Sequence, residues 1–221
     1  MASCCRSDGE GVFIEFNRDS IDAWLRDPEL GALSQKYAQC YKEFCESKEW
    51  TVTTLRDARY VLMHTFAHLL IKQMSMSSGY SSSAIRERIY FGDDMSGVLL
   101  YTGSADKEGS LGGLVELGNI DQLIVLMKDA FQEALVCTND PECLNNVPAG
   151  NNSNGAACHS CCMISETACE NGNRMLDRGL IVPEEKISLI LKLWWKNYVN
   201  WKYKLRYFVK QNSHRCYIWW K

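Results

Sequence analysis

The sequence predicts an α+β fold, with helices packed on a small β-sheet and pinned by a cysteine-held knot. Three observations carry this. Short β-rich runs recur at Gly11–Phe16, Arg88–Phe91 and Gly97–Thr102. Apolar stripes of helical period run through Thr54–Met74 and Ile120–Val136. Cysteines crowd one stretch, from Cys137 to Cys169, in the spacing C-x5-C-x14-C-x2-C-x7-C.

Taken in order, GVFIEF at Gly11–Phe16 alternates as a half-buried strand does. Asp19–Lys48 carries a broken apolar stripe through Ile21, Trp24, Leu30, Tyr37 and Phe44, and Pro28 divides it into two helices. Thr54–Met74 is the strongest helix, stopped by Ser77-Ser78-Gly79. Ser81–Ser83 then open a short helix through Arg88, with Ser82 or Ser83 as cap. Two strands follow, joined by a turn at Gly92-Asp93-Asp94. A glycine-rich loop spans Gly103–Gly113, Ile120–Val136 is helical, and Glu184–Phe208 is a last helical stretch.

At 221 residues the chain is long enough to bury a core without metal. No apolar run approaches the roughly 20 residues of a membrane span. The opening MASCCRSDGEG has no apolar signal region, so a cytoplasmic location is expected. Eleven cysteines, an odd and clustered number in such a chain, favour metal over disulfides.

Tetrahedral zinc takes four soft ligands from a chain that folds back on itself. Cys137, Cys143, Cys158, Cys161 and Cys169 are the candidates, with Cys162 beside them. Five thiols for four places leave one spare, and Cys169 is the candidate for that role. His159 sits between potential ligands and is expected to turn away. A closed four-thiolate site is structural, with no open position for water.

Other constellations point away from catalysis. His64 and His68 lie one helical turn apart in HTFAH, but Thr65 stands where a metalloprotease needs its glutamate. They are read as hydrogen-bonded core histidines, with a contact to the GGLV loop open to them. The loop GSADKEGSLGG lacks the G-x-x-x-x-G-K-[ST] order of a nucleotide site, and its glycines are expected to pack against the cysteine knot. In NRMLDR, Arg174 and Arg178 would share a helix face. Arg174 and Arg178 are candidate phosphate contacts there, with a structural pair between Asp177 and Arg178 as the alternative.

Charge is uneven. No acidic residue occurs from Ile187 to Lys221, where eight Lys and Arg mix with Trp194, Trp195, Trp201, Tyr203, Tyr207, Phe208, Trp219 and Trp220. Lys202, Lys204 and Arg206 are candidate phosphate contacts, and the aromatics suit stacking on single-stranded bases. Core packing and a membrane interface are the other readings of that composition.

The order of motifs is specific. GEGVFIEF is followed by RYVLMHTFAHLLI, SSSAIRERIYF, GVLLYTGSADKEGSLGGLVELG, CTNDPEC, ACHSCCMISETACE and NRMLDR. Together these resemble the MrfA-type zinc-binding domain of certain DNA-repair helicases, in the version carried by the DrmB-like subunits of DISARM anti-phage systems. The resemblance covers Gly9–Val182. It implies a cysteine-held zinc knot, formed by Cys137, Cys143, Cys158 and Cys161 with Cys169 matching a further family cysteine. It also implies work beside a superfamily 2 helicase subunit. Proteins of the family are much longer than this chain, and Cys162 stands at a position that is apolar in them.

The sequence therefore divides into a zinc-binding domain, residues 1–182, and a basic-aromatic helical tail, residues 183–221. A non-catalytic accessory module that binds DNA or a helicase partner is the expected function. A pure protein–protein scaffold is the alternative. A nuclease is disfavoured, because no P-loop, H-K-D or P-D-(D/E)xK pattern is present.

Overall fold

The structure is a computed structural model. It describes residues 10–52, 54–81, 83–92, 95–102, 113–182, 205–209 and 217–219.

The α+β expectation holds. Strand β1 (Glu10–Glu15) leads into helices α1 (Arg18–Trp24) and α2 (Pro28–Ser47). Helix α3 (Ala58–Ser78) follows, then strands β2 (Ile85–Phe91) and β3 (Ser96–Thr102) and helices α4 (Gly113–Leu117) and α5 (Ile120–Ala134). Strands β4 (Leu205–Val209) and β5 (Tyr217–Trp219) come last. The sheet is antiparallel in the order β2-β3-β1-β4-β5.

Side-chain chemistry sets the helix boundaries. Asn17 accepts the Ser20 amide at 2.9 Å and starts α1. Asp27 accepts the Glu29 amide at 2.9 Å, and Pro28 takes the first position of α2, where its missing N–H costs nothing. Asp57 caps α3 through the Arg59 amide at 2.9 Å, so that helix begins later than the apolar stripe suggests. It ends at Gly79, whose φ of 73° is the left-handed conformation glycine adopts freely.

Helix α3 forms the centre of the molecule. From Ala58 to Met74 nearly every side chain is buried, on all sides of the helix. A helix that is apolar all round needs cover all round. It packs on β2 and β3, on α2 and on α5, with Phe66 meeting Phe16 at 5.3 Å and Phe131 at 6.2 Å between ring centroids. The segment from Cys137 to Val182 closes the remaining side.

The short helix expected through Arg88 is instead the first half of β2. In place of a helical turn's start, the Ala84 amide donates to the Ser81 carbonyl at 2.9 Å. Ile-Arg-Glu-Arg-Ile then alternates at period two, which pairs it with β3 from Ile85↔Thr102 to Phe91↔Ser96.

The last helical stretch was expected to reach Phe208, but Leu205–Val209 is a strand. Its aromatic and branched residues suit a sheet. It covers the free edge of β1, from Glu10↔Val209 to Ile14↔Leu205, and so satisfies backbone groups that would otherwise lie open. The remainder of that stretch, with Lys202 and Lys204, lies outside the described residues, as does the loop 103–112. Arg206 pairs with Phe13 in the ladder. No helix among the described residues is long and apolar enough to cross a membrane.

Candidate metal centre

Four cysteines converge beyond the end of α5. Cys137 follows the helix directly, and Cys143 lies in a 3-10 turn, Pro141–Asn145, capped by Asp140 through the Glu142 amide at 3.0 Å. Cys158 and Cys161 belong to one tight turn, in which the Cys158 carbonyl accepts the Cys162 and Met163 amides at 3.0 and 2.9 Å. The spacer between Cys143 and Cys158 folds back on itself through an Ala149↔Asn152 bridge.

The four sulfurs lie within 4.8 Å of one another. Cys137–Cys158 is 3.5 Å, Cys158–Cys161 is 3.6 Å and Cys143–Cys161 is 3.8 Å. A disulfide requires about 2.05 Å. Zinc with sulfurs at about 2.3 Å in a tetrahedron requires S···S separations of roughly 3.8 Å. The cluster fits a four-thiolate zinc ion, and the zinc cofactor assigned from the cysteine spacing holds.

Local electrostatics point the same way. Burial pushes the Cys161 thiol up to about 12 and raises that of Cys143. Against its own burial, Cys137 is drawn down to about 7 by the backbone amides of Asn139 and Asp140 and by the neighbouring thiols. The Cys158 amide donates to Cys161 Sγ at 3.3 Å. Two of the sulfurs, Cys137 and Cys161, thus receive backbone donors suited to thiolates, in a site where burial makes ionisation costly unless a cation is bound.

Arg178 completes the surroundings. Its guanidinium donates to the Ala134 carbonyl at 2.5 Å, and its charge draws the Cys143 thiol down against the effect of burial. The side chain is 1% exposed, so the phosphate contact expected of it is corrected: it is a buried cation beside the thiolates. The shared helix face with Arg174 is corrected too. NRMLDR is a loop in which Asn173 and Met175 take positive φ, and Arg174 stacks over the Phe44 ring at 4.2 Å. Asp177 pairs elsewhere. It accepts from Tyr37 Oη and from the Ala156 and Gly179 amides, the latter two at 3.0 and 2.7 Å.

Cys169 is not part of this cluster. Its sulfur lies 3.2 Å from His64 Nε2 and groups with His64, His68 and Glu87. Cys162 is buried and also outside the four, and His159 is exposed. Among the described residues the histidines' hydrogen bonds go elsewhere than the GGLV loop: His64 Nδ1 meets the Met175 carbonyl at 3.2 Å and His68 Nδ1 the Cys162 carbonyl at 3.1 Å.

Sequence reasoning missed Glu87. The signal was present: in a strand, Ile85, Glu87 and Ile89 share the core face, and a carboxylate between two isoleucines demands a partner. The helical assignment of that stretch hid it.

Comparison with known proteins agrees with the motif order. Residues 66–162 match the family model described as the MrfA Zn-binding domain. The chain is 57% identical over 176 residues to the DISARM protein DrmB of Bacillus paralicheniformis, an alignment covering 79% of this chain. The chain spans about a third, 31%, of that relative's length. The motifs, the four-sulfur geometry and both matches thus converge on one family, the MrfA-type zinc-binding domain in its DrmB-like form.

Proposed function

We propose that the chain is a non-catalytic, zinc-braced accessory module of an anti-phage defence complex, binding DNA or a superfamily 2 helicase subunit in the cytoplasm. The observation that carries the reading is the closed four-sulfur site. It offers four protein ligands, a number that satisfies zinc and leaves no position for a reacting water. The identity to a DISARM protein supports the setting in phage defence. In this reading residues 1–182 are the braced body and residues 183–221 supply the contact surface.

With Arg178 buried, Arg174, Lys202, Lys204 and Arg206 remain as phosphate contacts. Deleting the tail would also remove the strand that covers β1, so charge-neutralising changes are the better test. The triple variant Lys202→Gln, Lys204→Gln, Arg206→Gln should bind DNA more weakly on all sequences. Its salt slope should flatten by about 0.9 per lost phosphate contact on duplex DNA. An unchanged slope would remove the tail from the interface. No binding by either protein would favour the scaffold alternative, tested by co-purification with the helicase subunit. Cleavage of DNA with added Mg2+ would overturn the non-catalytic reading.

A further inference from the structure

We propose that His64, His68, Glu87 and Cys169 hold a second metal ion, a divalent transition metal with zinc as the best match, in a buried structural site of its own. This proposal stands apart from the DNA or helicase reading.

The four donor atoms come from three separate parts of the chain: one turn of α3, the core face of β2, and the loop after the first cluster. All four residues are buried, and the donor atoms lie within 4.8 Å of one another. His64 Nε2 is 2.7 Å and His68 Nε2 3.2 Å from Glu87 Oε1, and His64 Nε2 is 3.2 Å from Cys169 Sγ. Nitrogen and oxygen ligands at about 2.0–2.1 Å from a tetrahedral ion lie roughly 3.3 Å apart. The spacing is close to that edge, with the 2.7 Å pair shorter.

Ring orientation is the strongest argument. Both Nδ1 atoms face backbone carbonyls, which can only accept, so each Nδ1 carries the proton. In the neutral ring Nε2 is then a bare lone pair turned towards a carboxylate and a sulfur. Lone pairs aimed at one another need a cation between them, either a metal ion or a second proton on the ring, and one dication serves both rings at once. Histidines that bind metal through one nitrogen while donating from the other to a carbonyl are held in this way.

The two anionic ligands are prepared as well. Glu87 Oε2 is buried and has no hydrogen-bond partner. Cys169 Sγ accepts the Asn171 and Asn173 amides at 3.3 and 3.2 Å, which favours the thiolate. Two neutral imidazoles, one carboxylate and one thiolate carry two negative charges, which one dication balances. Protons can balance the same charges, on the rings, the thiol or the carboxyl; two imidazolium rings with centroids 4.5 Å apart in a dry core are the costly form of that alternative. Nitrogen, oxygen and sulfur together suit zinc, which is borderline-soft.

The test is zinc X-ray absorption and metal content on the full, freshly reduced chain. Two zinc ions per chain are expected, with about five sulfurs and three nitrogen or oxygen ligands shared between them. Cys169→Ser and Glu87→Gln should each lower the content from two towards one and leave an all-sulfur shell. Should either variant fail to fold, the wild-type spectrum still decides. One zinc per folded wild-type chain, with sulfur ligands alone, would overturn the proposal and leave a buried cluster held by protons. One zinc with mixed ligands would instead retain this site and unseat the four-cysteine one.

Discussion

His68 Nδ1 lies 3.1 Å from the carbonyl oxygen of Cys162, the residue directly after Cys161, one of the four converging cysteines. The central helix is thereby tied to the turn that carries two of the four thiols. Losing the metal at Cys161 should therefore loosen more than the knot. Cys161→Ser is expected to release zinc and to speed amide exchange in the middle of α3, because metal binding and folding are coupled. Hydrogen exchange read by mass spectrometry checks this. Exchange that rises only in residues 137–161 would show the helix to be independent of the site.

Arg178 is the counter-charge of the cluster. Arg178→Leu keeps the volume but leaves the Ala134 carbonyl without its donor and the Cys143 sulfur without its cation. Losses of about 10–100-fold in zinc affinity are typical when such supporting groups are removed. Competition with a chromophoric chelator measures it. An unchanged affinity would mean that the guanidinium serves packing alone.

Zinc removal should take up protons. Cys143 and Cys161 have thiol values above the ordinary range, the latter about 12, so both are protonated near neutral pH once the metal leaves. At least about two protons per zinc should be absorbed at this site. The sign follows for affinity: acidification favours the protonated, metal-free form and weakens binding. A weakly buffered chelation experiment with a pH indicator reads the uptake directly.

Asp177 organises the loop behind the knot. Tyr37→Phe removes one of its donors in a buried site and should cost about 1–3 kcal/mol by chemical denaturation. Gly155→Ala should be worse tolerated than its size suggests. A Cβ there would come within 2.2 Å of Asp177 Oδ2, so the carboxylate must leave its partners. Equal stability of Gly155→Ala and wild type would contradict that packing.

Much of the fold was legible in the sequence because its signals are local. The stripe through Leu62, Phe66 and Leu69 is helical wherever it occurs, and Pro28 and Gly79 punctuate the chain without reference to its tertiary partners. The C-x2-C pair at Cys158 and Cys161 announced a metal turn for the same reason. What was not legible depends on distant partners. The strand at Leu205–Val209 exists beside the open edge of β1, far away in sequence. Cys169 reads as a fifth member of the cysteine run, yet its sulfur meets His64, 105 positions earlier. Arg178 looks like a surface cation in a polar motif, and only the fold turns it inward to Ala134.

The measurement closest to the central claim is the zinc content of freshly purified, reduced protein, taken with its fold by circular dichroism. The account predicts folded protein that retains at least one zinc per chain through gel filtration, and Cys158→Ser or Cys161→Ser protein that loses that zinc and unfolds more readily. A cooperatively folded wild-type chain that carries no metal under reducing conditions would contradict it.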